Sequence, residues 1–142
     1  MNKISDDILC KVEKPSRYVG GELNQVIKDP KDVDIRFAFC FPDVYEVGMS
    51  HLGTRILYHT INLREDTYCE RTFAPWPDME ELMRKNNIPL YTLETKDSLD
   101  KFDILGFTLQ YEMSYTNILN MLDMSGIPFR ASERGEDDPI IM

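Results

Sequence analysis

The stretch that decides the fold is residues 33–62, VDIRFAFCFPDVYEVGMSHLGTRILYHTIN. Residues 33–41 have the β-branched and aromatic content of a strand, with few polar positions at its end, as expected for a central strand covered on both faces. Beyond this strand the apolar residues recur at helical spacing, which predicts one helix over residues 44–62. Asp43 followed by Glu46 resembles a capping box for its first turn. A strand therefore passes directly into a helix through a short polar loop.

Strands and helices alternate along the rest of the chain. Further strands are predicted at residues 66–75, 89–93, 104–110 and 139–142, and further helices at residues 77–87 and 111–125. This alternation predicts an α/β fold with a doubly wound parallel sheet and right-handed crossovers. The last segment has no covering helix after it, so the sheet is expected to be truncated near its fifth strand. Residues 1–32 are predicted to form an N-terminal arm, ahead of one domain at residues 33–142.

The chain is acidic, with a formal net charge of −9. Affinity for nucleic acid comes largely from Lys and Arg that displace counterions from phosphates, so neither nucleic acid nor an anionic membrane is expected as a partner. No apolar run approaches the about 20 residues of a membrane span, and the charged N-terminus is unlike a secretory signal. The expectation is a soluble cytoplasmic protein.

The three cysteines lie about thirty residues apart, at Cys10, Cys40 and Cys69. Zinc sites bring cysteines in close pairs, and disulfide frameworks use an even number of them. The cysteines are therefore predicted to be reduced structural thiols, and no metal site is expected.

The loop and first helical turns after the strand, residues 43–53, allow two interpretations. At the carboxyl end of a strand, the free N–H groups of the following helix could face a phosphate, a carboxylate or the polar edge of a cofactor. The alternative is structural: Asp43 caps the helix, Tyr45 covers the sheet edge, and Gly48 and Gly53 let helix and strand approach closely. The usual phosphate loops, GxGxxG and GxxxxGK[ST], are absent, as is a GxSxG elbow, so no catalytic residue is predicted.

Five segments between Lys14 and Met142 resemble the N-terminal region of cobalamin-binding-type radical S-adenosylmethionine (radical SAM) proteins. They are KPSRYVGGE, FPDVYEVGMSHLGTRILYHTIN, ERTFAPWPDMEEL, DILGFTLQYEMSYTNILNMLDMSGIP and PIIM. The resemblance implies a flavodoxin-like fold, followed in the full-length protein by a radical SAM barrel. The CxxxCxxC motif of that barrel would hold a [4Fe-4S] cluster and S-adenosylmethionine, and it does not occur in this chain.

The resemblance also offers cobalamin as a candidate cofactor. Histidine-ligated cobalamin domains carry DxHxxG after the first strand, and Asp43, Tyr45 and Gly48 fall on this pattern as DxYxxG. A phenol with a pKa of about 10 is a poor cobalt ligand at neutral pH, so histidine-type ligation is not expected. The same class has SxL at the end of the fourth strand, where this chain has Thr108 and Gln110 on either side of a leucine.

The resemblance thus implies an accessory domain that docks on the downstream radical SAM domain of the same chain and helps enclose its substrate or cofactor cavity. The residues predicted to line that cavity are Asp43, Tyr45, Gly48, Ser50, His51, Thr108 and Gln110. The alternative is a non-catalytic protein-interaction domain that has lost cobalamin binding and uses its acidic surface and FAPWP corner. Self-association of the chain is also expected, because the last strand leaves apolar sheet surface uncovered.

Overall fold

A parallel sheet of four strands forms the centre of residues 4–142, the part of the chain described by the computed structural model. The strands are β1 (Ile35–Phe41), β2 (Thr67–Phe73), β3 (Ile104–Phe107) and β4 (Ile140–Ile141). Their order across the sheet is β2-β1-β3-β4, and every neighbouring pair is parallel. The predicted α/β fold is confirmed, and β1 is a central strand as its composition indicated.

Helices cover both faces of this sheet. They are α1 (Asp6–Leu9), α2 (Tyr45–Ser50), α3 (Leu52–Asn62), α4 (Pro77–Lys85) and α5 (Ser114–Met124). Successive side chains of a strand point to opposite faces, so Phe39 and Phe41 of β1 pack with Tyr58 of α3, while Cys40 packs with α4 and α5. This arrangement is consistent with a flavodoxin-like doubly wound fold. None of the helices in residues 4–142 has the length and apolar character needed to cross a membrane.

Residues 4–32 pack against the sheet rather than extending from it. Ile8, Val12 and Tyr18 belong to the hydrophobic core on the α4 and α5 side. Lys28 Nζ donates to three backbone carbonyls, at 3.1 Å to Asn62, 2.6 Å to Arg64 and 2.6 Å to Thr67. The division of the chain between residues 32 and 33 stays a prediction.

The predicted strand at residues 89–93 is wrong. This segment touches β2 through single bonds, such as the one from the Leu93 N–H to the Arg71 carbonyl (2.8 Å), and forms only an isolated antiparallel bridge with Ser98. The physical reason is Glu70 of β2. Its carboxylate is 0% exposed and therefore needs hydrogen-bond donors from the protein. The hydroxyls of Thr92 and Thr95 each donate to its carboxylate at 2.6 Å, which turns the chain away from an extended path. The segments predicted as fourth and fifth strands are therefore the third and fourth.

The single helix predicted over residues 44–62 is also wrong, because the chain is extended at His51 (φ −77°, ψ 115°). The His51 ring accepts a hydrogen bond from the Thr54 N–H at 3.2 Å and so caps the start of α3. The predicted capping box is absent. Val44 is the N-cap of α2 and makes no side-chain cap bond, while Glu46 pairs with Arg17.

Candidate functional site

Two loops rise from neighbouring strands at the same edge of the sheet. We call residues 42–53, after β1, the first crest, and residues 108–115, after β3, the second crest. Cys40 is in register with Phe107, so both crests begin at the same level of the parallel sheet. The Asn117 side-chain amide of α5 donates to the Pro42 carbonyl at 2.8 Å and ties the two crests together. The connections beyond them run to opposite faces, as expected at a topological switch point.

Tyr45 in the first crest points towards β2 and the N-terminal segment. Its hydroxyl donates to the Glu22 carboxylate, and its ring meets Phe73 edge-on with centroids 5.5 Å apart. Burial of the phenol, together with the nearby Glu22 carboxylate, raises the pKa of Tyr45 to about 12. The side chain is therefore a neutral phenol at neutral pH whose proton is already engaged.

Gly48 and His51 pack against the aromatic rings beneath the first crest. A Cβ atom on Gly48 would lie 2.2 Å from Phe73 Cε1 and 3.0 Å from Phe41 Cδ1, so only glycine fits there. The His51 ring lies 5.4 Å from the Phe41 ring, centroid to centroid, and its Nδ1 accepts the cap bond from Thr54. This close packing agrees with the structural interpretation of the first crest.

The remaining polar residues of the first crest bond to the chain itself. Asp43 Oδ1 accepts from the Val44 N–H at 2.7 Å, and Ser50 Oγ donates to the Glu46 carbonyl at 2.6 Å. Ser50 is exposed and bonds within its own helix. The first crest is thus held by internal hydrogen bonds.

A buried ion pair anchors α2 from below, and the sequence analysis did not identify it. Arg71 of β2 contacts Glu94 at 2.8 Å, with side chains 2% and 0% exposed. The guanidinium also lies 4.0 Å from the centre of the Tyr58 ring, and Nη1 is 3.7 Å from Met49 Sδ of α2. Burial raises the pKa of Glu94, and the neighbouring Arg71 opposes this. The signal in the sequence was two adjacent charged residues, Glu70 and Arg71, inside the strand TYCERTF.

The FAPWP corner forms a second contact between the N-terminal segment and this edge of the sheet. The Trp76 backbone N–H donates to the Tyr18 hydroxyl at 3.1 Å, and the Arg17 guanidinium lies 5.1 Å from the Trp76 ring centre. Arg17 is buried and binds both carboxylate oxygens of Glu46 through Nε, at 2.9 and 3.0 Å. The corner is fixed by internal contacts, although the indole remains partly exposed.

The second crest is open by contrast. Thr108 Oγ1 is buried and has no hydrogen-bond partner in the described part of the chain, and Gln110 is exposed. Large apolar side chains nearby face solvent, with Met113 71% and Tyr115 59% exposed. A shallow depression of about 190 Å³ lies on this crest, lined by Leu109, Gln110, Tyr111, Glu112 and Tyr115.

The predicted site residues therefore fall into two groups. Tyr45, Gly48 and His51 surround the Phe41 and Phe73 rings, whereas Thr108 and Gln110 lie across β1 on the β3 side. Residues 4–142 contain no cluster of His, Cys, Asp or Glu that could hold a metal ion. Cys40 and Cys69 are buried and unpaired, and burial raises the pKa of both thiols.

In a comparison with known protein families, residues 53–142 match the family described as the N-terminal region of radical SAM proteins. The chain belongs to this family. The match covers α3, β2, α4, β3, the second crest, α5 and β4. No curated protein and no solved structure matches this chain. The match does not bear on cobalamin, so the cobalamin-binding class stays a prediction.

Proposed function

We propose that this chain is a non-catalytic accessory domain that docks through its second crest on a radical SAM catalytic domain and helps enclose the cavity there. The family membership supports the accessory assignment, and the exposed apolar side chains of the second crest carry the choice of surface. The catalytic domain would hold the [4Fe-4S] cluster and S-adenosylmethionine through cysteines that this chain does not have.

The composition of the second crest supports a protein interface. Four large apolar side chains are exposed within seven residues, although the chain as a whole is strongly acidic; they are Leu109, Tyr111, Met113 and Tyr115. Aromatic residues and Met are enriched at interfaces, and contiguous exposed apolar patches usually mark interaction sites. The patch lies at the carboxyl edge of the sheet, where open α/β folds place their ligands.

The predicted cavity residues take different parts in this proposal. The exposed Gln110 side chain offers hydrogen bonds at the rim of the docked surface, and Thr108, whose Oγ1 is buried, begins the same crest. Asp43, Tyr45, Gly48, Ser50 and His51 support the first crest beside it. In this proposal the second crest contacts the partner, and the first crest holds the second crest in place.

The first crest does not fit cobalamin. Tyr45, which stands at the ligand position, has its hydroxyl bound to Glu22 and its pKa raised to about 12, so a phenolate is scarce at neutral pH. The space above Gly48 is filled by the Phe73 ring. We therefore propose that the domain acts without a cobalt ligand of its own. Titration with hydroxocobalamin should leave its visible bands unchanged, and a cobalt–nitrogen signal from His51 would contradict this.

Docking can be tested by titrating the isotope-labelled chain with the separately produced catalytic segment of a protein that carries this N-terminal region. Amide signals of residues 108–117 should shift on binding. Replacing Met113 and Tyr115 together by Ser should weaken binding at least about tenfold, since both side chains lie in the proposed contact. Leu63→Ser, a matched exposed apolar change at the end of α3, should leave binding unchanged. Shifts centred on Trp76 instead would favour the alternative of a protein-interaction domain using the FAPWP corner.

We also propose self-association through β4. This two-residue strand pairs on one side with β3, and Ile140 is 65% and Met142 70% exposed. An uncovered strand edge with apolar neighbours is a site for pairing with another chain. Light scattering should show a larger particle at high concentration, and Ile140→Lys should reduce it. A monomer at all concentrations would contradict this proposal.

A further inference from the structure

A pocket lined by no residue of either crest lies between the N-terminal segment and the loop after Leu90. Its volume is about 330 Å³, within the range of about 300–1,000 Å³ typical of small-molecule sites. Most of its wall is apolar, formed by Ile4, Leu9, Val19 and Leu93. The polar groups at its border include Gln25, Glu94 and Lys96.

Lys96 has unused hydrogen-bond donors in this pocket. Its Nζ donates to the Leu93 carbonyl at 2.6 Å and lies 5.8 Å from the centre of the Tyr91 ring. An ammonium group carries three donors, and within residues 4–142 Lys96 forms no ion pair. A half-buried charge with spare donors and no direct counter-ion is suited to an anionic ligand group.

The backbone holds Lys96 at the pocket. Lys96 is in the left-handed region, with φ 65°, and Gly20, with φ 68°, packs directly on the same loop. A Cβ atom on Gly20 would lie 2.3 Å from the Leu93 carbonyl oxygen and 2.8 Å from Lys96 Nζ. Non-glycine residues in this conformation persist only where the surroundings impose it, and they cluster at ligand sites.

Lys96, as the charged group of the pocket without a direct partner, favours a carboxylate ligand. Glu94 also borders the pocket, but its carboxylate is buried and paired with Arg71, so Lys96 supplies the charge that has no direct partner. Burial lowers the pKa of Lys96, and the carboxylates of Glu94, Glu22 and Glu70 oppose this without contacting it. A carboxylate in direct contact would offset the cost of desolvating the ammonium.

We propose that this pocket binds a small aliphatic monocarboxylate. Its hydrocarbon chain would lie against Ile4, Leu9 and Val19, and its carboxylate would accept hydrogen bonds from Lys96 Nζ. The proposal does not depend on docking at the second crest, because the two surfaces share no residue.

Three probes of equal length separate charge from apolar contact: hexanoate, 1-hexanol and hexylammonium. In NMR titrations of the 142-residue chain, hexanoate should shift the amide signals of Gly21, Gln25 and Leu93 and bind about tenfold more tightly than the other two, a difference of about 1.4 kcal/mol. Equal affinity for the three probes, or shifts confined to other residues, would overturn the proposal.

Variants of Lys96 and Gln25 test whether the Lys96 ammonium group causes the preference for hexanoate. Lys96→Gln should lower hexanoate affinity to that of hexanol, and Lys96→Arg should restore it. Gln25→Glu adds a negative charge to the pocket while keeping the oxygen that accepts from the Gly21 N–H (2.8 Å), so it should weaken hexanoate binding without touching Lys96. Lys101→Gln, on the same loop but exposed and paired with Asp97, is the matched control. Unchanged hexanoate affinity in folded Lys96→Gln or Gln25→Glu would refute the assignment.

Discussion

The two crests begin at the same level of adjacent strands and differ in almost everything else. In the first crest Tyr45, Gly48 and His51 are each engaged with another part of the chain. In the second crest Thr108 Oγ1 has no partner among the described residues, and Met113 and Tyr115 face solvent. The difference teaches that a polar, glycine-containing loop can be a support, while the more apolar loop beside it leaves its large side chains exposed.

The largest effect is expected at the buried ion pair between Arg71 and Glu94, which anchors the first crest. Arg71→Met should lower the free energy of unfolding by about 3–5 kcal/mol, because it leaves the Glu94 carboxylate buried without its partner. Replacing both residues, with Arg71→Met and Glu94→Leu, should recover most of the loss. Urea unfolding followed by circular dichroism measures both. A small effect of the single change would show that α2 does not depend on this pair.

Close packing at Gly48 gives the next largest effect. Gly48→Ala should destabilise the fold by about 1–3 kcal/mol, since its Cβ would overlap the Phe73 ring at 2.2 Å. The matched control is Gly135→Ala, where an added Cβ meets nothing within 4 Å, and Phe73→Leu in the same chain should relieve part of the strain. Thermal unfolding compares the three variants. Equal melting temperatures for Gly48→Ala and Gly135→Ala would refute the packing argument.

The bond between Tyr45 and Glu22 should contribute about 0.5–1.5 kcal/mol, so Tyr45→Phe is expected to be a moderate change. It should also alter the pH dependence. Because the folded-state pKa of about 12 lies above the ordinary value of 10.0, the stability linked to Tyr45 is fully present below pH 10 and is lost as the pH rises towards 12. The variant should lose less stability than the parent between these values in urea unfolding. Parallel curves would contradict the raised pKa.

The smallest effect is expected at the second crest. Met113→Ser and Tyr115→Ser should each change the free energy of unfolding by no more than about 0.5 kcal/mol, because both side chains are exposed. Chemical unfolding of each variant, compared with Leu63→Ser, measures this. Losses above about 2 kcal/mol would show that the second crest is part of the core, and the contrast between the crests would disappear.

The sequence predicted the parts of the fold that depend on local periodicity and general rules of parallel sheets. The apolar run at residues 33–41 indicated a central strand, and β1 is central. The helix predicted at residues 77–87 is α4, and the segment ILGF is the strand next to β1. Each of these elements has an apolar pattern that agrees with its tertiary surroundings.

The errors arose where a distant residue or a side-chain cap decides the local conformation. PLYTL has strand-like composition, but Thr92 is committed to the buried Glu70 carboxylate. The apolar spacing continues through His51, yet its ring caps α3 and interrupts the helix. Glu46 pairs with Arg17 from the N-terminal segment instead of completing a capping box. Glu70 and Arg17 are far from their partners in sequence, and apolar spacing does not encode the His51 cap, so periodicity could not reveal any of the three.

Residues 17–28 run from the carboxyl edge of the sheet, where Arg17 meets Glu46 and Tyr18 meets Trp76, to the amino edge, where Lys28 binds the end of α3 and the start of β2. Every one of those partners lies later in the sequence, so the full set of contacts cannot form before Trp76 has been synthesised. A single segment outside the sheet therefore fastens both of its ends.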